Sequence, residues 1–127
     1  MKLPRKVLNL ALATAAKSPM KQRHGAVIWK SGVILGVGYN FFKQPPNEFK
    51  RILTVHSERA ALAGLRHDQI HGASMLAVRI TPSGELSCGA PCIGCQRLLS
   101  RKGLAKAYWF DSLGQLNCTF INCTAIK

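Results

Sequence analysis

Apolar positions fall into short runs separated by polar turn residues, and the type of run alternates along the chain. Residues 4–17, "PRKVLNLALATAAK", predict a first helix with Pro4 in its first turn, where the missing N–H costs no hydrogen bond. Residues 25–40, "GAVIWKSGVILGVGYN", read as two strands around the turn at Lys30-Ser31-Gly32. A polar loop holding Pro45, Pro46 and Asn47 leads to a second helix at 56–66, followed by a turn near Gly72. "SMLAVRI" (74–80) is a third strand, apolar enough to be buried. "TPSGELSCGA" (81–90) reads as a loop, given Pro82, Gly84 and Gly89. Pro91 opens a third helix through about Lys102, Gly103 ends it, and "AKAYWF" (105–110) is a fourth strand. After Asp111 about 16 residues remain, room for no more than a short strand such as "LNCTFINCTAIK" (116–127). Helix, hairpin, helix, strand, helix, strand describes a sheet covered by helices, so the expected fold is α/β in three layers.

Length changes that picture little, since 127 residues suffice for one core and no repeat or linker divides them. A single domain over residues 1–127 is expected. Charge changes it more: 18 Lys and Arg against 5 Asp and Glu leave +13. Residues 1–51 carry ten basic side chains and one acidic, a net of +9. Such a field attracts nucleotide phosphates or polyanions, so a nucleic-acid partner is one option and plain solubility the other. Five cysteines, at 88, 92, 95, 118 and 123, suit a metal site in a reducing compartment better than a paired disulfide framework. The cytoplasm is therefore the expected location. The first residues combine a basic start with an apolar run, but Pro4 and Asn9 argue against a signal peptide. No run approaches the length of a membrane span, and no membrane partner is expected.

Two predicted helix starts carry the candidate chemistry. His56 begins one, and "PCIGC" (91–95) begins the other. Cys92 and Cys95 are three apart, which turns both sulfurs to one side of a first helical turn. Free N–H groups there favour thiolate over thiol. With His56 they make a His/Cys/Cys set that leaves the fourth position of a tetrahedral Zn²⁺ open, the arrangement of a catalytic site. One zinc per chain is expected. Glu58, two residues past His56, can reach a water at that position and take its proton without coordinating the metal. Two thiolates offset the zinc charge, so a carboxylate base is needed beside it.

His56-Ser57-Glu58 followed by Pro91-Cys92-Ile93-Gly94-Cys95 is the H-x-E and P-C-x-x-C pattern of the zinc deaminases. C-x-x-C alone is common; joined to H-x-E with a strand between, it is specific. On these motifs the chain resembles the cytidine deaminase superfamily over about residues 5–110. The hairpin "RHGAVIWKSGVILGVGYN" looks like that of the deoxycytidylate and tRNA adenosine deaminases, "HSERAAL" and "APCIGCQRLL" are close to the free cytidine deaminases, and "KGLAKAYWF" is similar to the deoxycytidylate branch. The resemblance implies a cytidine deaminase-like α/β/α domain with a mixed sheet of about five strands. It also implies that Asn40, at the end of a Gly-x-Asn, touches the sugar. Ser57 stands where Ala is usual; its N–H can contact the base carbonyl, and it adds a hydroxyl. The implied activity is hydrolytic deamination of a cytosine nucleoside or nucleotide, deoxycytidylate or cytidine in type. The family's habit of assembly implies a homo-oligomer.

Alternatives remain at this level. A polynucleotide deaminase acting on tRNA or single-stranded DNA would use the +13 charge, with Trp109 and Phe110 stacking on bases. A zinc-stabilised binding module would take Cys88 as a fourth ligand, which leaves Glu58 without a purpose. His24, His67 and His71 read as solvent-facing groups or supports behind the site. Cys118 and Cys123 read as packed thiols.

Overall fold

The structure, a computed structural model, describes residues 3–42 and 54–120. The first half contains α1 (Arg5–Ala15), β1 (Arg23–Lys30), β2 (Val33–Tyr39), β3 (Phe41–Phe42), β4 (Thr54–Val55), α2 (Ser57–Leu62) and α3 (His67–Ile70). The second half contains β5 (Ser74–Ile80), β6 (Leu86–Ser87), α4 (Ile93–Arg101), β7 (Lys106–Phe110) and β8 (Leu116–Phe120). The main sheet runs β2-β1-β5-β7-β8, with β6 pairing β5 off that path. Only β5 and β7 pair in parallel, joined by the crossover through α4; the other pairs are antiparallel. The β1–β2 turn carries Ser31 at φ 51 and Gly32 at φ 78, the pair of positive values that lets a two-residue turn follow the strand twist.

Alternation along the strands builds two cores. Val27, Trp29, Leu76, Val78 and Tyr108 face α1, whose Val7, Ala11 and Ala15 return at helical spacing. Ala26, Ile28, Met75 and Ala107 face Ala61, Leu62, Ile70, Leu98 and Leu99 on the other side. The result is the three-layer α/β/α arrangement expected. Each fully buried Val, Leu or Ile contributes about 1.5–3 kcal/mol to it.

The glycines of β2 set how closely α2 lies on the sheet. A Cβ at Gly38 would stand 2.3 Å from Ala61 N, and one at Gly36 2.5 Å from Ala61 O. Only residues without a side chain admit the helix backbone at that distance. At the end of α4, Gly103 takes φ 84 while its N–H reaches Ser100 O and the Leu104 N–H reaches Leu99 O, a Schellman closure.

Three expectations need correction. The helix expected at 56–66 is shorter: α2 ends at Leu62, Gly64 turns the chain at φ 78, and a separate α3 starts at His67. The loop expected at 81–90 contains β6, since the turn closed by Thr81 N–H to Glu85 O at 2.8 Å returns the chain along β5. Phe41–Phe42 and Thr54–Val55 form a small separate ladder that no pattern announced. Pro45, Pro46, Asn47 and Cys123 lie outside the described residues.

Candidate active site

Both helix starts converge at the carboxyl end of β5. His56 is the N-cap of α2 (φ −70, ψ 152) and Cys92 the N-cap of α4 (φ −69, ψ 165). The extended cap backbone turns each side chain across its own helix start, and Cys92 Sγ accepts from Cys95 N–H at 3.5 Å. His56 Nδ1 lies 3.3 Å from Cys95 Sγ and 3.7 Å from Cys92 Sγ. The three ligand atoms all fall within 4.8 Å of one another, and among the described residues no other such group exists. Cys88 is half-buried and stands outside it, so the closed four-ligand alternative is not assembled.

The donor set fits one Zn²⁺: an imidazole and two sulfurs, with Cys95 buried and His56 and Cys92 open to the surface. Helix position alone does not favour the Cys95 thiolate. Burial first, then the Glu58 carboxylate and the Cys92 thiol, push the Cys95 thiol up to about 12. A cation must therefore displace its proton.

A cavity of about 290 Å³ opens beside the group. His56, Ser57, Glu58 and Cys92 line it together with Met20, Gln22, His24 and Asn40. Glu58 is only 6% exposed, and Ser57 Oγ donates to its Oε1 at 3.0 Å. The added hydroxyl at position 57 thus holds the carboxylate. A smaller space, lined by Arg59, Gly94 and the three ligands among others, lies behind them.

Asn40 closes the β1 side. Its Oδ1 accepts His24 N–H at 2.8 Å, while Nδ2 donates to Gln22 O at 2.8 Å and to Met20 Sδ at 3.3 Å. His24, read from the sequence as a solvent-facing group or a support behind the site, lines the cavity itself. The strand register could have revealed it, since His24 shares its face of β1 with Ala26 and Ile28. His67 and His71 are exposed and meet each other edge-on, away from the group. Trp109 and Phe110 do not line the cavity; Phe110 packs with the α1-side core.

No protein-family model matches the chain. No curated protein matches it either. Solved structures do. Cytidine deaminase from Burkholderia pseudomallei is similar at TM-score 0.69 and 20% identity, over 96% of this chain and 95% of that one. A variant cytidine deaminase from Mycobacterium tuberculosis is similar at TM-score 0.61 and 16% identity, over 97% and 95%. The dCMP deaminase of cyanophage S-TIM5 is similar at TM-score 0.55 and 18% identity, over 86% of each chain. The layers, the mixed sheet and this likeness agree: the chain is built on the α/β/α fold of the cytidine deaminase superfamily.

Proposed function

We propose that this chain is a zinc-dependent hydrolytic deaminase that converts a cytosine nucleoside or nucleotide, cytidine or deoxycytidylate in type, to its uracil product with release of ammonia. The observation that carries the reading is a buried carboxylate, Glu58, in the wall of the same cavity as His56 and Cys92. His56, Cys92 and Cys95 would hold the metal. Zn²⁺, when bound, supplies the Lewis acidity that makes a water nucleophilic near neutral pH. Glu58 would take the first proton of the water that adds to C4 and deliver it to ring nitrogen N3. It would then carry the second, from the new C4 hydroxyl, to the amine, so that the C4–N bond breaks, the C4 carbonyl forms and ammonia leaves. Ser57 Oγ keeps the carboxylate aimed, and the Ser57 N–H serves the base carbonyl. Asn40 offers the second lone pair of its Oδ1 to a sugar hydroxyl, and the weak Met20 sulfur contact can yield an amide hydrogen as well.

Residues 1–127 act as one domain in this reading, since both cores share one sheet. The substrate is a small molecule, and the chain assembles as a homo-oligomer in the reducing cytoplasm. The free thiols at Cys88, Cys92, Cys95 and Cys118 support that compartment. No helix among the described residues is long and apolar enough to cross a membrane.

The test is ammonia release by the zinc-loaded protein from cytidine, dCMP, adenosine, tRNA and single-stranded DNA. Glu58→Gln should keep its metal and fold while losing at least ~10²-fold in kcat. Near-parent turnover by that variant would sink the mechanism. The net charge of +13 favours a second reading, deamination within a polynucleotide. Activity confined to nucleic acid, falling steeply with salt, would replace the first reading by the second.

A further inference from the structure

Alternation along β1 sends Val27 and Trp29 under α1, and Ala26 and Ile28 under α2 and α4. His24 therefore projects to the α2–α4 side, where it lines the cavity with His56 and Glu58. Its backbone is held at both ends by one residue: His24 N–H donates to Asn40 Oδ1 at 2.8 Å, and His24 O accepts Asn40 N–H at 3.3 Å. The Asn40 carboxamide and the Gln22 side-chain oxygen beside it are engaged. Both amide hydrogens of Asn40 have acceptors, and Gln22 Oε1 accepts Arg79 Nε and Nη2 at 3.0 and 2.9 Å. Neither imidazole nitrogen of His24 has a hydrogen-bond partner among the described residues. Burial, aided by Arg79 and His56 and opposed by Glu58, lowers its pKa, so near neutral pH it presents one N–H and one lone pair. An imidazole placed this way is a recognition group without an occupant among the described residues.

We propose that His24 is a specificity-determining residue, whose ring N–H donates to an uncharged oxygen of the substrate, a base carbonyl or a sugar hydroxyl, in the cavity that Glu58 also lines. The proposal rests on the deaminase reading for the class of substrate and on the cavity alone for the contact. It assigns to β1 a direct part in choosing the substrate, beside the one α2 takes in the chemistry.

The experiment uses the zinc-loaded full chain, His24→Leu and His24→Gln, each titrated with cytidine, dCMP, uridine and free cytosine. The nitrogen-15 resonances of the His24 ring are followed alongside steady-state kinetics. In the parent, the ring signals should shift saturably with whichever compound binds. His24→Leu should raise KM or Kd roughly tenfold, the worth of one hydrogen bond, with kcat, metal content and Tm close to the parent. His24→Gln, which keeps a donor, should recover part of the loss. A penalty for cytidine but not for cytosine assigns the contact to the sugar; an equal penalty assigns it to the carbonyl. Binding that leaves the ring signals still and is unaltered in His24→Leu overturns the proposal. Binding with shifted ring signals but no ammonia release from any compound removes the deaminase reading and leaves the His24 contact standing. Binding of none of the four overturns both.

Discussion

Asn40 illustrates how one side chain serves both stability and site. It joins the end of β2 to the start of β1 through Gln22 O and His24 N–H, and it also lines the cavity. Removing its carboxamide strands those two backbone groups in a half-buried wall. Asn40→Ala should therefore cost about 1–3 kcal/mol of unfolding free energy. It should also lower kcat/KM by a similar free energy, because His24 loses its anchor together with the proposed sugar contact. Urea unfolding and substrate kinetics on the same preparation check both; an unchanged stability would show that the network contributes nothing net.

At the scale of elements, the chemistry depends on how far α2 sits from β2. His56 and Glu58 ride on the first turn of a helix of only six residues, too short to hold its shape unaided. Its position comes from the contact that Gly36 and Gly38 make possible. Gly38→Val would push a side chain into Ala60 and Ala61, where backbone atoms cannot step aside. We expect a loss of about 1–3 kcal/mol or more from overpacking, together with weaker zinc binding, since His56 moves with the helix. Denaturant midpoints and zinc titration measure the two effects. A destabilised variant with parent zinc affinity would show that the helix start is positioned by something other than this contact.

At the scale of the whole molecule, metal and fold are linked. Zinc brings two helix starts together across 36 residues of sequence, so chelation should lower Tm, and restoring one equivalent of zinc should restore it. Acid should act in the same direction. The Cys95 thiol, pushed up to about 12, holds its proton firmly. Zinc must displace that proton to bind, so zinc affinity should fall as the pH is lowered, as read with a chromogenic chelator. Cys88→Ser should bind the same single equivalent, because Cys88 lies outside the ligand group; a lost equivalent would make Cys88 a ligand after all. Most of the charge lies elsewhere: among the described residues, no Lys or Arg lines the main cavity. Arg59 lines the smaller space beside the three ligands.

Local patterns alone determined a good part of this protein. Alternation and turn residues placed β1, β2, β5 and β7, and the two strands flanking Ser31-Gly32 had to meet because only a positive-φ turn fits there. Spacing singled out His56, Cys92 and Cys95 as candidate ligands, whose donor atoms the fold places within 4.8 Å of one another, and Glu58 as a candidate base, which lines the cavity beside them. Tertiary structure decided what no local pattern holds. Whether α2 continues past Gly64, and whether residues 86–87 pair with β5, depends on packing and on a neighbouring strand rather than on propensity. Which histidine joins the site depends on register. His24 reads as one more polar residue until β1 is set against β5 and α2, and then alternation leaves it nowhere to point except into the cavity that Glu58 shares.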